Sequence, residues 1–176
     1  MKQLIYCSNF YNDVAAISSL MLSMDFTESQ YGTEIIDFHN IPPDTQERFT
    51  SILGEQFEIQ PDTGIFRKPA DFIHFENFYQ HAAWLCIVAL EDTVLSTYEQ
   101  DGIKSLFDAR DVDTFVRENC FDKSKWEISG LVKLNKNDFI FIRPWVWHSL
   151  EENKLVQVFL INHKLQEINN GSIVGV

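Results

Sequence analysis

Apolar residues along the chain are grouped in short runs, and the spacing within each run predicts the element it forms. Within Val14–Met24 they recur every three or four positions, the spacing of a helix with one buried face, and Asn12 or Asp13 can cap its start. A second helix is predicted over Pro42–Leu53, because proline and acidic residues favour a helix start and Gly54 a helix end. Beyond Gly54 the runs become shorter.

Short apolar runs, most of them beyond Gly54, predict strands. Ala82–Leu90, Phe139–Arg143 and Leu155–Ile161 are apolar at nearly every position, which predicts strands buried on both faces. Gly130 indicates a bulge or a close backbone approach, and Asp111–Cys120 a short helix or an irregular excursion. The other predicted strands are Leu4–Cys7, Glu34–Phe38, Phe57–Ile59, Ile65–Arg67, Phe72–Glu76, Val94–Tyr98, Ser105–Arg110 and Trp126–Leu134.

Two early helices followed by about eight closely spaced strands indicate a mainly β (α+β) fold. Strands at such short intervals bury their apolar faces in a closed or double-sheet architecture. We therefore predict a double-stranded β-helix, also called a jelly roll or cupin-like fold, with the N-terminal helices packed on one face. Residues 1–176 are expected to form one domain of this kind.

Composition and charge narrow the possible partners. A hydrophobic content of 45% and an aromatic content of 14% are typical of a folded globular chain. The net charge of −12 argues against nucleic acid as a partner, and no apolar run is long enough to span a membrane. Cys7, Cys86 and Cys120 form no Cys-x-x-Cys pair, so we expect reduced thiols in a cytoplasmic protein. The oligomeric state stays open.

The first candidate for chemistry is His148, which follows the buried strand Phe139–Arg143. Proline cannot donate to a strand ladder, so Pro144 is expected to start a loop that carries the histidine. His148 is then either a half-buried rim histidine with a backbone partner or part of a site at the rim. The intervening Trp145 and Trp147 can line a pocket or contact the substrate, or they can cap the mouth of the barrel as packing. We favour the packing interpretation.

A second candidate lies on the predicted strand Phe72–Glu76. His74 and Glu76 are two residues apart, so on a strand their side chains share one face. A buried carboxylate is costly unless it is paired or binds a metal. His-x-Glu on one strand with His148 on another is the ligand set of a facial triad, two histidines and one carboxylate with open metal positions. The alternative is a local His–Glu hydrogen bond.

These motifs resemble the Fe(II)/2-oxoglutarate-dependent dioxygenases, over the whole chain. The resemblance is carried by His74-x-Glu76, by His148 and by the strand after it. Asn9–Asp13 and Asn153–Phe159 look like a prolyl-hydroxylase-like branch of that superfamily found in phages and marine bacteria. The resemblance implies a hydroxylase that acts on a small-molecule or peptide substrate.

The resemblance also implies roles for individual residues. His74, Glu76 and His148 would bind Fe(II), and Lys154 would bind the carboxylate of 2-oxoglutarate. The family usually has Asp where this chain has Glu76, and Arg, which gives a two-pronged contact, where it has Lys154. Lys154 is expected to begin the last strand and to point inward with Val156, or else to bend out to solvent along its flexible stem.

Two other functions stay open on the same scaffold. One is a catalytically inactive protein with a binding role. The other is a metal-binding cupin without 2-oxoglutarate, since the spacing from Pro144 to His148 is also similar to that of cupins. The sequence does not identify the substrate or the metal.

Overall fold

A computed structural model describes residues 4–75, 82–100, 103 and 112–164 of the chain. Its helices are α1 (Val14–Leu22), α2 (Thr45–Leu53) and α3 (Val112–Asn119). The strands are β1 (Leu4–Cys7), β2 (Thr27–Ser29), β3 (Gly32–His39), β4 (Phe57–Ile59), β5 (Ile65–Pro69), β6 (Ala82–Ala89), β7 (Thr93–Glu99), β8 (Glu127–Leu134), β9 (Phe139–Ile142), β10 (His148–Leu150) and β11 (Val156–His163). The predicted strand Ser105–Arg110 lies outside the described residues.

The strands form two antiparallel sheets. The larger sheet has the order β1-β9-β6-β11-β5-β3-β2, with β4 also paired to β11, and the smaller has the order β10-β7-β8. Side chains from both sheets meet in one aliphatic cluster, with β6, β9 and β11 on one side and β7, β8 and β10 on the other. The structure therefore confirms the mainly β, double-sheet fold.

Strand β6 shows how the larger sheet divides the interior. Leu85 and Ile87 point into the aliphatic cluster between the sheets. Trp84 and Cys86 point the other way, into a cluster rich in phenylalanine that also contacts α1 and α2. Every residue of β6 is buried, which confirms the prediction of a strand enclosed on both faces.

Local signals place the helix ends. The Asp13 carboxylate accepts a hydrogen bond from the Ala16 N–H at 2.9 Å, which confirms a cap at this position. Helix α1 ends at Leu22, earlier than predicted, because Ser23 closes it with hydrogen bonds to the Leu20 carbonyl. Gly54 has a φ of 110° and ends α2 as predicted. No helix in the described part of the chain is long and apolar enough to cross a membrane.

A register irregularity in the β7–β8 ladder confirms the prediction for Gly130. The register shifts between Thr97 and Tyr98, opposite Gly130 and Ile128. A Cβ atom on Gly130 would lie 2.7 Å from the Thr97 hydroxyl oxygen, too close for a real contact. A larger residue here would therefore need the Thr97 side chain to move.

Three segments that carry candidate site residues differ from their predicted secondary structure. Residues 72–75 form only an isolated bridge rather than a strand, since the N–H of Ile73 bonds to the Cys120 carbonyl. His148 begins strand β10 instead of lying in a loop, because its short segment pairs with β7. Lys154 precedes its strand, which begins at Val156.

Candidate metal centre

His74 and His148, far apart in the sequence, lie side by side in the structure. Their backbones exchange two hydrogen bonds, each 2.8 Å long, and their ring centroids are 4.5 Å apart. Both residues are buried, with 5% of His74 and 1% of His148 exposed. The fold thus brings together two of the three residues that the sequence suggested as metal ligands.

The residues flanking the two histidines anchor them in one apolar cluster. Ile73 and Phe75 on one segment and Trp147 on the other belong to this cluster, and the Phe75 and Trp147 rings meet edge to face at 4.7 Å. Trp147 is fully buried, which confirms the packing role favoured for it. Because Ile73 and Phe75 are held in this cluster, His74 between them is turned toward His148.

Backbone carbonyls orient the imidazole rings. The His148 Nδ1 atom lies 2.8 Å from the Val146 carbonyl oxygen, and the His74 Nδ1 atom lies 3.4 Å from the Phe72 carbonyl oxygen. A carbonyl oxygen only accepts, so these contacts favour a proton on Nδ1 and a lone pair on Nε2. This is the arrangement in which histidine binds metals through Nε2.

The surroundings keep His74 neutral. Burial lowers its pKa well below the ordinary value of 6.5, and the neighbouring His148 and Arg67 lower the pKa further. A neutral imidazole is the form that binds a metal ion. The donor set of the described residues therefore fits a metal that accepts nitrogen ligands.

Arg67 is a buried charge that the sequence reasoning treated only as a strand residue. It is 4% exposed, donates from Nε to a Glu34 carboxylate oxygen at 2.6 Å, and its guanidinium carbon lies 4.3 Å from the Tyr31 ring centroid. Arg67 is paired with Val156 in the sheet, so both side chains point into the space between the sheets. Side chains alternate between the two faces of a strand, the argument applied above to Lys154. The same alternation indicates Arg67, because Arg67 lies on the opposite face of β5 from the core residue Phe66.

The other predicted site residues are placed less completely. Glu76 lies outside the described residues, and within those residues no three His, Cys, Asp or Glu side chains come together as a metal site. Lys154 is half-buried, and its N–H bonds to the Glu151 carbonyl at 3.4 Å. Because β11 starts only at Val156, strand alternation does not fix the direction of the Lys154 side chain. The roles of Glu76 and Lys154 stay predictions.

A cavity of about 620 Å³ opens beside the histidine pair. His74 is part of its wall, and the segment that carries His74 provides three more of the lining residues. The remaining described lining residues come from the end of the β2–β3 hairpin and from α3 with the turn after it, and they are Gln30, Tyr31, Val116, Arg117, Cys120 and Phe121. A volume of this size accommodates a small molecule.

Comparison with known proteins gives a match at the level of fold. No protein-family model matches the chain, and no curated protein matches its sequence. Among solved structures, the chain is similar to HygX from Streptomyces hygroscopicus with nickel, 2-oxoglutarate and hygromycin B bound, with a TM-score of 0.60 and 10% identity over 93% of this chain and 83% of that one. HygX with nickel and 2-oxoglutarate gives a TM-score of 0.55 at 9% identity, covering 93% of this chain and 84% of that one.

A weaker match is the sugar 3,4-ketoisomerase QdtA from Thermoanaerobacterium thermosaccharolyticum. A mutant of this enzyme in complex with TDP-4-keto-6-deoxyglucose gives a TM-score of 0.33 at 10% identity, over 95% of this chain and 85% of that one. The similarity to HygX shows a shared fold with a protein that binds a metal and 2-oxoglutarate.

Proposed function

We propose that this protein is a non-haem Fe(II)/2-oxoglutarate-dependent oxygenase, a hydroxylase, in which His74, Glu76 and His148 hold the metal. The observation that carries the proposal is the buried pair His74–His148, joined by two backbone hydrogen bonds beside a cavity. The pair lies in a fold shared with HygX, which has been seen with nickel and 2-oxoglutarate. A carboxylate from Glu76 would complete a facial triad.

The chain's own residues would position the metal and keep its surroundings dry. The contacts of both Nδ1 atoms with carbonyl oxygens favour a lone pair on Nε2, the atom through which each histidine would bind the metal. The apolar cluster of Ile73, Phe75 and Trp147 excludes water from one side of the pair. When bound, Fe(II) with 2-oxoglutarate and O₂ would supply the oxidation of a substrate C–H bond.

The cosubstrate requires a cation for its far carboxylate, and the chain offers two candidates. Lys154 is the residue that the family resemblance implies. Arg67 is the cation that the fold directs into the space between the sheets, although Glu34 already matches its charge. We propose that Lys154 binds this carboxylate, and Arg67 is the competing residue.

The direct test is a titration of anaerobically purified protein with Fe(II) or Mn(II), followed by a succinate-release assay with 2-oxoglutarate. We expect one metal ion per chain and succinate release that depends on Fe(II). A wild-type protein without affinity for Fe(II), Mn(II) or Co(II) would refute the oxygenase proposal and leave a binding module as the function.

A second candidate function is a metal-binding cupin that does not use 2-oxoglutarate. It is favoured by the position of Lys154 outside β11 and by the existing Arg67–Glu34 ion pair, because neither of these two cations is dedicated to the cosubstrate. Calorimetry separates the two functions, because the cupin would bind metal with no measurable affinity for 2-oxoglutarate.

A further inference from the structure

The segment that carries His74 is held by the stretch of chain that follows α3. Three consecutive residues before the histidine each contact that stretch, through an ion pair, a ring stack and a backbone hydrogen bond: Asp71 with Lys123, Phe72 with Phe121, and the Ile73 N–H with the Cys120 carbonyl oxygen. His74 itself is joined to His148 by the two backbone hydrogen bonds described above. The backbone at His74 is therefore tied both to the smaller sheet and to the chain after α3.

The two imidazole rings differ in how closely a backbone carbonyl holds them. The Nδ1 atom of His148 lies 2.8 Å from its carbonyl oxygen, whereas the Nδ1 atom of His74 lies 3.4 Å from the Phe72 carbonyl oxygen. A hydrogen bond of 3.4 Å is long and fixes the plane of a ring only weakly. Packing against neighbouring side chains is then a second constraint on the plane of the His74 imidazole.

Two aromatic rings supply this packing. The centroids of Phe72 and Tyr31 lie 5.0 and 5.1 Å from that of His74. Each of these two rings has its own support: the Arg67 guanidinium lies 4.3 Å from the Tyr31 centroid, and the Phe121 ring stacks on Phe72 with 5.3 Å between centroids and 22° between planes. Stacked rings of this kind attract one another beyond the effect of their buried area.

Phe121 is an unusual support because it lies largely in water. Its side chain is 73% exposed, so it adds little buried apolar area to the core. Its ring nevertheless lies flat against Phe72, and both residues line the cavity beside His74. The consequence of this stack is therefore expected at the neighbouring imidazole more than in the stability of the fold.

We propose that Phe121 is a positioning residue for the metal centre. By stacking on Phe72 it fixes the plane of the His74 imidazole and so directs Nε2 of that ring toward the metal. The inference rests on the proposed function, in which His74 is a metal ligand. Groups that orient a ligating histidine commonly change metal affinity 10- to 100-fold when they are removed.

The test compares variants that keep or remove a flat ring at this position. Phe121→Leu keeps an apolar side chain without a ring, Phe121→Tyr keeps the ring, and Phe121→Ala removes both. Leu131→Ala, which removes an exposed apolar side chain on β8 outside the cavity lining, is the control. Calorimetry with Co(II) on the full chain measures metal affinity, and urea denaturation measures the free energy of unfolding.

We expect Phe121→Ala and Phe121→Leu to lower Co(II) affinity about tenfold, the lower end of the range for groups that orient a ligating histidine. Phe121→Tyr and Leu131→Ala should bind Co(II) as the wild type does, and Phe121→Leu should unfold at the wild-type urea concentration. The visible absorption of bound Co(II), which reports the geometry of its ligands, should change in Phe121→Leu and return in Phe121→Tyr. Wild-type affinity in Phe121→Leu, or an equal loss in Phe121→Leu and Phe121→Tyr, would overturn the proposal.

The outcomes separate this proposal from the proposed function. Metal binding that is the same in the wild type and in Phe121→Leu would refute the positioning role and leave the oxygenase in place. If the wild type binds no metal, the oxygenase is refuted, and the NMR signals of the His74 ring protons in metal-free protein test the positioning alone. These signals should move in Phe121→Leu and return in Phe121→Tyr, and signals that stay unchanged in Phe121→Leu would overturn it.

Discussion

Two buried polar groups lie on opposite faces of the larger sheet and differ in how they are satisfied. On the face toward the helices, the fully buried Gln157 donates to the carbonyls of Asn40 and Gly64 at 2.6 and 2.9 Å and accepts from the Tyr11 hydroxyl. On the face between the sheets, Arg67 pairs with Glu34 close to the histidine pair. We call Gln157 with its partners Tyr11, Asn40 and Gly64 the glutamine network. We call Arg67 with Glu34, Tyr31 and the adjacent His74 the arginine cluster.

The difference shows that burial of a polar side chain is not by itself a sign of function. The glutamine network is neutral and includes two backbone carbonyls, and burial raises the pKa of Tyr11, so its hydroxyl stays a donor. Such a network holds loops against the sheet. The arginine cluster contains charged and titratable groups, and Tyr31 and His74 in it line the cavity. A polar group that faces a cavity and can change its charge or bind a ligand is the better functional candidate.

The largest expected effect separates the two regions by metal affinity. His74→Ala and His148→Ala should each lower Fe(II) or Mn(II) affinity at least 1000-fold, about 4 kcal/mol, because each removes a proposed ligand. His163→Ala changes an exposed histidine at the C-terminal end of β11 and should leave the metal affinity unchanged. Calorimetry measures the affinity and circular dichroism checks the fold. Wild-type affinity in folded His148→Ala protein would exclude it as a ligand.

The next effect concerns stability. Gln157→Leu should lower the free energy of unfolding by about 3 kcal/mol, because two carbonyls and a hydroxyl lose their partner in a buried place. Metal affinity should not change. Urea denaturation measures the loss, and adding Tyr11→Phe should recover part of it by removing the hydroxyl that lost its acceptor. A Gln157→Leu protein as stable as the wild type would mean that the network contributes little.

A smaller change in stability is expected for the arginine cluster. Arg67→Met should lower the free energy of unfolding by about 2 kcal/mol, because it leaves the mostly buried Glu34 without its cation. In a Glu34→Gln background the same change should cost less, so a double-mutant cycle isolates the interaction between the two side chains. Additive effects of the two changes would show that the ion pair does not couple them.

The central strands could be predicted because their signal is local. Strands β6, β9 and β11 are apolar at almost every position, and Asp13 and Gly54 carry the chemistry of a helix start and a helix end. None of these predictions requires knowledge of a distant partner, so sequence pattern alone was sufficient.

The elements that were missed depend on distant partners. Strand β10 has three residues and exists because it pairs with β7, while β2 consists of Thr, Glu and Ser and shows no apolar alternation. Alternation with the core residue Phe66 could have pointed to Arg67, but its pairing with Glu34 on another strand could not be predicted locally. The sequence suggested that His74 and His148 lie together only because both fit the ligand set of a facial triad. The bridge between the two residues is the feature of the fold that brings them together.

The smallest predicted effect decides which cation serves the cosubstrate. Lys154→Ala should weaken 2-oxoglutarate binding at least tenfold, about 1.4 kcal/mol, with little change in metal affinity. Lys154→Arg should restore or improve binding, because a guanidinium offers a carboxylate two parallel hydrogen bonds. Lys164→Ala, which removes a lysine just beyond the other end of β11, is the matched control and should have no effect. If Lys154→Ala binds 2-oxoglutarate normally while Arg67→Met does not, the anchor belongs to the arginine cluster, whose charge already points between the sheets. If neither change matters because the wild type binds metal but no 2-oxoglutarate, the metal-binding cupin is the better account.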